Sequence, residues 1–444
     1  MSSCGGNCST CYDINSTGYN PVPREITYGD ELQALFGLDY PGKETIEATL
    51  QVTEACSLSC IYCYQGNKSP KRMPLEIGKK FMDDLFTAYK DTHFAVVIDF
   101  IGGEPLLEAK LIKELVEYWY YLCIMHKDEV PWYKFIRFSI CSNGTEWDKP
   151  EVQELMKRLG RTVSFTVSID GNKELHDSAR IHPDGRGSYD EAIHAATEYE
   201  KMNKIQLGSK MTIAPSNIIF MYPALKHYLD SGATIIHANP VYEDVWCDDD
   251  AKLYYQELKR VADYKLEYYP NTYLSLFEEE LFQPEDEREL TTFCGGSGKM
   301  IACDPDGIYY PCLRYMPSSV GRDRDEYVTC GNIDNGVDTT KLDTMKTTIT
   351  RRSYSSDKCF YCPISKGCGN CSAYAWQVNG TVDSRTTFHC KLHIARALAN
   401  VYYWNKLYKK FNIDKVFYNN VPEDWALDII SKEELIMLNN IHSL

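Results

Sequence analysis

The chain has 444 residues, is 44% hydrophobic, and carries 63 acidic against 47 basic side chains, a formal net charge of −16. That length suits two or three domains with cores of their own, and the acidic balance argues against nucleic acid or an anionic membrane as a general partner, because the dominant phosphate term needs a basic surface. Residues 1–44 form an extension with Cys4, Cys8 and Cys11 in a Gly/Ser/Cys-rich stretch and no apolar export segment. Nowhere does an apolar run approach the roughly 18 residues of a membrane helix, so the reading is a cytoplasmic protein with no membrane partner. From 45 to 245, β-branched runs read as six strands: TIEATLQVT, FAVVIDFIGG, KFIRFSICSNG, TVSFTVSIDG, IQLGSKMTIA and TIIHANPVY. Amphipathic stretches such as LEIGKKFMDDLFTAYK and LIKELVEYWYYLCIM alternate with them. Strand–helix units in series imply a parallel sheet with right-handed crossovers. Six units are too few for a closed eight-strand barrel, so the expected fold is an α/β partial (β/α)6 TIM-like barrel. Residues 246–293, including DDDAKLYYQELKRVADYKLEYY and EEELFQPEDEREL, read as an acidic helical bridge. Residues 294–395 are rich in cysteine, glycine and turns, and metal is expected to supply much of their stability. Residues 396–444 read as a C-terminal helix and tail.

Eighteen cysteines without an export signal point to metal rather than to a disulfide framework. Cys123, Cys141 and Cys247 stand alone and read as small buried hydrophobes. Cys56, Cys60 and Cys63 follow the first strand with C-x3-C-x2-C spacing, and Tyr62 precedes the last of them. Three thiolates so spaced can hold three irons of a cubane and leave the fourth iron open. Zinc fits less well, since no fourth Cys or His lies nearby. The N-terminal triplet has the same spacing, but it follows no strand and lacks the aromatic, so it reads as a tail with oxidisable thiols.

The central triplet resembles the signature of the radical SAM superfamily, C-x3-C-x-aromatic-C after the first strand. Further matches come in order: Gly102, Gly103, Glu104 and Pro105 end the second strand, Ser142 and Asn143 the third, and Ser168 and Asp170 the fourth, with Arg180 following. The resemblance implies that Cys56, Cys60 and Cys63 hold a [4Fe-4S] cluster that binds S-adenosylmethionine (SAM). It also implies cofactor contacts from Tyr62, the Gly102–Pro105 turn, Ser142, Asn143, Ser168, Asp170 and Arg180. In related enzymes the turn binds the methionine amine, Ser and Asp face the ribose, and Arg pairs with the methionine carboxylate through parallel donors.

Downstream, Cys294, Gly307 and Cys312 read C-x12-G-x4-C, and Cys359, Cys362, Cys368 and Cys371 read C-x2-C-x5-C-x2-C, with Cys390 beyond. This resembles the SPASM extension of radical SAM enzymes, although the family's last gap is commonly three residues. A zinc ribbon is the alternative for paired CxxC motifs. The resemblance implies two auxiliary [4Fe-4S] clusters, one closed by Cys359, Cys362, Cys368 and Cys390, the other held by Cys294, Cys312 and Cys371. Cys303 and Cys330 are candidates for that second cluster's remaining position; otherwise its iron stays open.

Such enzymes modify peptides. Phrases such as GSKMTIAPSNI and YYPCLRYMPSS look most like maturases of ribosomally made, cysteine-rich peptides. The implied activity is SAM cleavage to a 5′-deoxyadenosyl radical and formation of thioether crosslinks in a cysteine-containing peptide. A reductase or a flavodoxin or ferredoxin would serve as electron donor. Epimerisation and carbon–carbon crosslinking are alternatives. Sulfatase maturation is disfavoured because Leu313 stands where that group has an acidic residue after the cysteine. A non-catalytic iron–sulfur electron carrier is the reading from a different class. About 45 residues precede the first strand, fewer than a winged-helix leader-binding module needs.

Overall fold

The computed structural model describes residues 44–204, 209–243, 245–289, 292 and 294–441. The N-terminal triplet therefore lies outside the described residues. Six strands form where the β-branched runs predict them: β1 (Glu44–Thr53), β2 (His93–Gly102), β3 (Ile136–Ser142), β4 (Val163–Val167), β5 (Ser209–Ile213) and β6 (Ile235–Pro240). β1 to β4 pair in parallel in sequence order, and β5 pairs in parallel with β6. A parallel bridge between Ser168 and Lys210 links the two runs.

Alternation decides which way each strand faces. Ala48, Leu50 and Val52, Val96, Ile98 and Phe100, and Phe138 and Ile140 are fully buried beneath the helices. Their neighbours Val97 and Asp99 on β2 and Arg137, Ser139 and Cys141 on β3 are half-buried and line the inner face. That inner face is polar at several positions, so the partial barrel has a lumen rather than a packed apolar centre. The helix Leu75–Tyr89 covers the outer face with Phe81, Met82, Leu85, Phe86 and Tyr89, all buried.

The sheet does not stop with the six strands. β7 (Tyr273–Leu274) pairs in parallel with β6, and β8 (Met300–Cys303) pairs in parallel with β1, setting Cys303 beside Leu50. β8 then turns back into β9 (Ile308–Tyr310), an antiparallel partner. The cysteine-rich segment thus begins as an extension of the barrel sheet, and Ile301, Cys303, Tyr309 and Cys330 belong to the same hydrophobic core as Leu50 and Phe81.

Two expectations about helices are corrected. Residues 278–289 were expected to be helical, but they run as turns and irregular backbone. Pro284 removes a donor, and neighbouring acidic side chains repel at helical spacing. Their backbone instead bonds the cysteine-rich segment, with Phe282 N donating to Lys366 O at 3.0 Å and Lys366 N to Gln283 O at 3.0 Å. The C-terminal region also holds more than a helix and a tail. After the helix Cys390–Lys410 come Glu423–Leu427 and Lys432–Asn440, the latter capped by Ser431 Oγ accepting from Glu434 N. Helix Asp248–Tyr268 packs on Cys390–Lys410, where the buried Lys265 Nζ donates to Tyr403 Oη at 2.7 Å. No helix among the described residues is long and apolar enough to cross a membrane.

The solitary cysteines divide. Cys123 is buried as expected, but Cys141 is half-buried on the lumen face and Cys247 is exposed. Cys247 caps the helix Asp248–Tyr268, a position chosen by helix-end geometry rather than by apolar packing.

Candidate active site

The loop after β1 carries Cys56, Cys60 and Cys63, all half-buried. Its start is fixed by the turn that ends β2. Gly103 N donates to Thr53 O at 3.2 Å and Glu104 N to Ala55 O at 2.9 Å. A Cβ at Gly103 would lie 2.4 Å from Ala55 O and 2.7 Å from Cys56 Cβ, so only glycine permits this approach. Glu104 then ties β2 to β3: its buried carboxylate accepts from Leu106 N at 3.0 Å, Ser142 Oγ at 2.8 Å and Asn143 N at 2.7 Å. Burial pushes its pKa up to about 7 against the pull of those donors. Asn143 reaches the other way, with Nδ2 donating to Ser57 Oγ at 3.0 Å and lying 3.8 Å from Cys56 Sγ.

The far side of the loop is tied to the segment after β4. Ser59 N donates to Ile181 O at 2.7 Å and Ile61 N to Ala179 O at 3.1 Å, bracketing Arg180. Arg180 Nε donates to Asp170 Oδ2 at 2.8 Å, and its guanidinium lies 5.4 Å from the centre of the Tyr62 ring. Tyr62 Oη donates to the same carboxylate oxygen, while Asp170 Oδ1 accepts from Thr212 N at 3.2 Å. Behind them His176 Nδ1 accepts from Asp170 N at 3.2 Å. The Ser188 hydroxyl spends its proton on Arg180 O at 2.8 Å, so His176 Nε2, 3.0 Å away, is the donor to Ser188. Burial, helped by Arg180, pushes the His176 pKa down to about 4, which keeps it in that neutral tautomer.

Two cations, Lys68 and Arg180, and two carboxylates, Glu104 and Asp170, act on the thiols of the loop. Burial pushes Cys56 up to about 11, opposed by Lys68 and by the Leu58 N–H. Cys60 is raised by burial and lowered by Arg180. Burial lowers the Lys68 ammonium, but the three thiols outweigh it and hold the group above its ordinary value. Thiols so raised ligate once a metal displaces their protons.

In the second half, Cys359, Cys362, Cys368 and Cys390 line one cavity of about 50 Å³ together with Arg385, His389 and His393. Cys294, Cys312 and Cys371 gather elsewhere. A Cβ on Gly296 would stand 3.2 Å from Cys312 Sγ and 3.6 Å from Cys294 Sγ. Burial, then the neighbouring Cys371, push Cys312 up to about 12. Cys303 and Cys330 are completely buried in the hydrophobic core. Cys303 Sγ faces Asp304 O at 3.3 Å, and burial first, then Asp304, raise its thiol. Among the described residues no three His, Cys, Asp or Glu side chains close around a single metal ion. A cubane spreads its thiolates over several irons and does not require three donors on one ion.

The sequence-derived residues therefore fall into three groups, one at the barrel's strand ends and two in the cysteine-rich segment. Ser168 belongs to the first, with Oγ 3.5 Å from Cys141 Sγ and N donating to Ser142 O at 2.9 Å. Pro105 opens the 3-10 turn after Glu104, and Gly102 packs where a Cβ would lie 2.5 Å from Thr53 O. Sequence reading missed Ser57, Lys68 and Arg385, none of which has a diagnostic spacing. It also missed Arg314, whose guanidinium lies 4.9 Å from the Tyr64 ring and bonds Glu243 at 2.8 Å.

Comparison with known proteins agrees with this geometry. Residues 50–213 match the profile of the Radical SAM superfamily. The sporulation killing factor maturation protein SkfB of Bacillus subtilis is 32% identical over 195 residues, 44% of this chain and 42% of that protein. Across the first curated relatives the matches span 38 to 59% of the relatives' own length. Among solved structures, native anSMEcpe with bound AdoMet and Cp18Cys peptide superposes with a TM-score of 0.60 at 17% identity, covering 84% of this chain and 100% of that one. Streptococcus suis SuiB bound to its precursor peptide SuiA gives 0.50 at 14% identity, covering 81% and 78%. At such identities the likeness is one of fold. The barrel that carries Cys56, Cys60, Cys63 and Arg180 is a radical SAM domain.

Proposed function

We propose that the chain is a radical SAM peptide maturase that modifies a ribosomally made, cysteine-containing peptide by thioether formation. The observation that carries the SAM part is the double backbone tie from the cysteine loop to residues 179 and 181. It sets the three thiols beside a cation and a carboxylate that could receive a zwitterionic, ribose-bearing cofactor.

Cys56, Cys60 and Cys63 would hold a [4Fe-4S] cluster, which with SAM supplies one-electron cleavage of the sulfonium to methionine and a 5′-deoxyadenosyl radical. The chain's own residues bind and orient. Among the described residues no hydrogen bond occupies the two terminal nitrogens of Arg180, which can offer parallel donors to the methionine carboxylate. Asp170 holds the Arg180 stem and the Tyr62 hydroxyl, so that both are in place before the cofactor arrives. Glu104 keeps the Gly102–Gly103 backbone beside Cys56, where it can meet the methionine amine.

A peptide substrate is supported by the likeness to SkfB, named a maturation protein, and by the peptide-bound forms of anSMEcpe and SuiB. Two auxiliary clusters, on Cys359, Cys362, Cys368 and Cys390 and on Cys294, Cys312 and Cys371, would accept the electron that leaves the substrate. Leu313 beside Cys312 packs among apolar neighbours and offers no base there, which favours chemistry on a peptide thiol over oxidation to an aldehyde. A flavodoxin, ferredoxin or reductase would supply the first electron.

The product test is mass spectrometry on a cysteine-containing peptide. Thioether formation loses about two mass units per link and blocks thiol alkylation. Unchanged mass with deuterium gained from solvent means epimerisation, and the same loss with every thiol free means carbon–carbon bonding. Either result rejects the thioether.

A further inference from the structure

In the cavity lined by Cys359, Cys362, Cys368 and Cys390, one cation points inward. Arg385 Nη2 lies 2.9 Å from Cys368 Sγ, 2.8 Å from Cys368 O and 3.1 Å from Gly369 O. Its backbone N donates to Tyr354 O at 3.0 Å, and its guanidinium lies 5.7 Å from the Tyr354 ring. The side chain is held at both ends, so the guanidinium stays aimed at the sulfur.

The other basic groups of the cavity turn elsewhere. His389 Nε2 meets Gly369 O at 3.0 Å and His393 Nε2 meets Ile364 O at 2.7 Å. Lys358 is exposed at the mouth, 5.2 Å from the Trp425 ring, where water screens it. Arg385 is therefore the cation whose charge reaches a ligand sulfur through a direct hydrogen bond in a partly dry site.

We infer that Arg385 is a positioning residue that raises the reduction potential of an iron–sulfur cluster held by Cys368, fitting it to accept electrons. This rests on the reading of the cavity as an auxiliary-cluster site. A reduced cluster carries one more negative charge than an oxidised one. A fixed N–H···S donor with a full positive charge stabilises the reduced form more, and hydrogen bonds to the sulfurs together with local charge set such potentials. The two carbonyl contacts have a separate effect, since they fix the 368–369 turn that presents the sulfur.

The test is an EPR-monitored redox titration of the reconstituted full chain, in a Cys56→Ala, Cys60→Ala, Cys63→Ala background that removes the first cluster's signal. The relevant signal is the one that Cys390→Ala abolishes. Arg385→Gln and Arg385→Lys should both keep their iron, with the midpoint more negative than wild type in the order Gln below Lys below wild type. The other auxiliary signal should not move. A wild-type midpoint in whichever variant retains iron overturns the inference. So does loss of iron in both variants, which would make Arg385 a mere clamp on the turn. If Cys390→Ala leaves iron content and spectrum unchanged, the cluster reading itself fails and the inference falls with it.

Discussion

Arg180 and Asp170 form a buried ion pair at the proposed cofactor site. Asp170 is completely buried and Arg180 is its ionic partner. Removing one partner leaves the other desolvated and unpaired, so Arg180→Ala should cost about 3–5 kcal/mol of stability. Pairing it with Asp170→Asn should recover much of that loss in a denaturant melt. SAM affinity should stay weakened by about 1.5–3 kcal/mol in both variants, because the carboxylate donor is gone in each. Wild-type affinity in the double variant would remove Arg180 from the cofactor site. Glu104 offers a second test at this scale. Its Oε2 accepts from Asn143 N, so the amide of Glu104→Gln must either set a donor against that donor or give up the Oε1 bonds. A loss of about 1–3 kcal/mol in equilibrium unfolding is expected, with the Cys56 loop loosened as a consequence.

Short elements, rather than long ones, make the site. The strands of the barrel were legible because alternating β-branched runs declare themselves, and the predicted and observed ranges of β1, β2 and β3 nearly coincide. The turns at their ends were legible as motifs, since a glycine pair or a cysteine triplet stands out. The Arg180–Asp170–Tyr62 cluster was not legible as a cluster, because its members come together only when the loop after β1 folds against the helix Lys173–Ala179. The same holds for the pairing of β8 with β1, which no local pattern announces, and for residues 278–289, where composition suggested a helix that Pro284 and charge repulsion prevent. His176 gives this region a pH signature. Its pKa is about 4 in the fold against an ordinary 6.5. The folded state refuses a proton that the unfolded chain accepts, so the stability His176 contributes is complete above about pH 6.5 and declines as pH falls towards 4, by about 3 kcal/mol in all. Thermal melts across that window should show a shallower decline in His176→Gln than in wild type. Equal slopes would mean that His176 is not held neutral.

At the scale of the whole molecule, β1 to β4 and the start of the cysteine-rich segment share one sheet, and Ile301, Cys303, Tyr309 and Cys330 join the barrel's core. β8 covers the edge of β1, and Cys303 and Tyr309 pack in the cluster that contains Leu50. A chain ending at residue 289 should therefore expose an apolar strand edge, bind ANS and aggregate. A monomeric fragment with a cooperative melt would show that the barrel stands alone. The shared sheet also ties the start of the cysteine-rich segment to the strand that leads into the Cys56 loop. The most direct measurement is anaerobic SAM cleavage by the reduced, iron–sulfur-reconstituted chain, read as 5′-deoxyadenosine by chromatography. Wild type should form it, and a Cys4→Ala, Cys8→Ala, Cys11→Ala variant should match wild type. Cys56→Ala should form none while keeping the iron of the auxiliary sites. Undiminished cleavage by Cys56→Ala, or none by fully loaded wild type, would contradict the assignment of the radical-generating site to this loop.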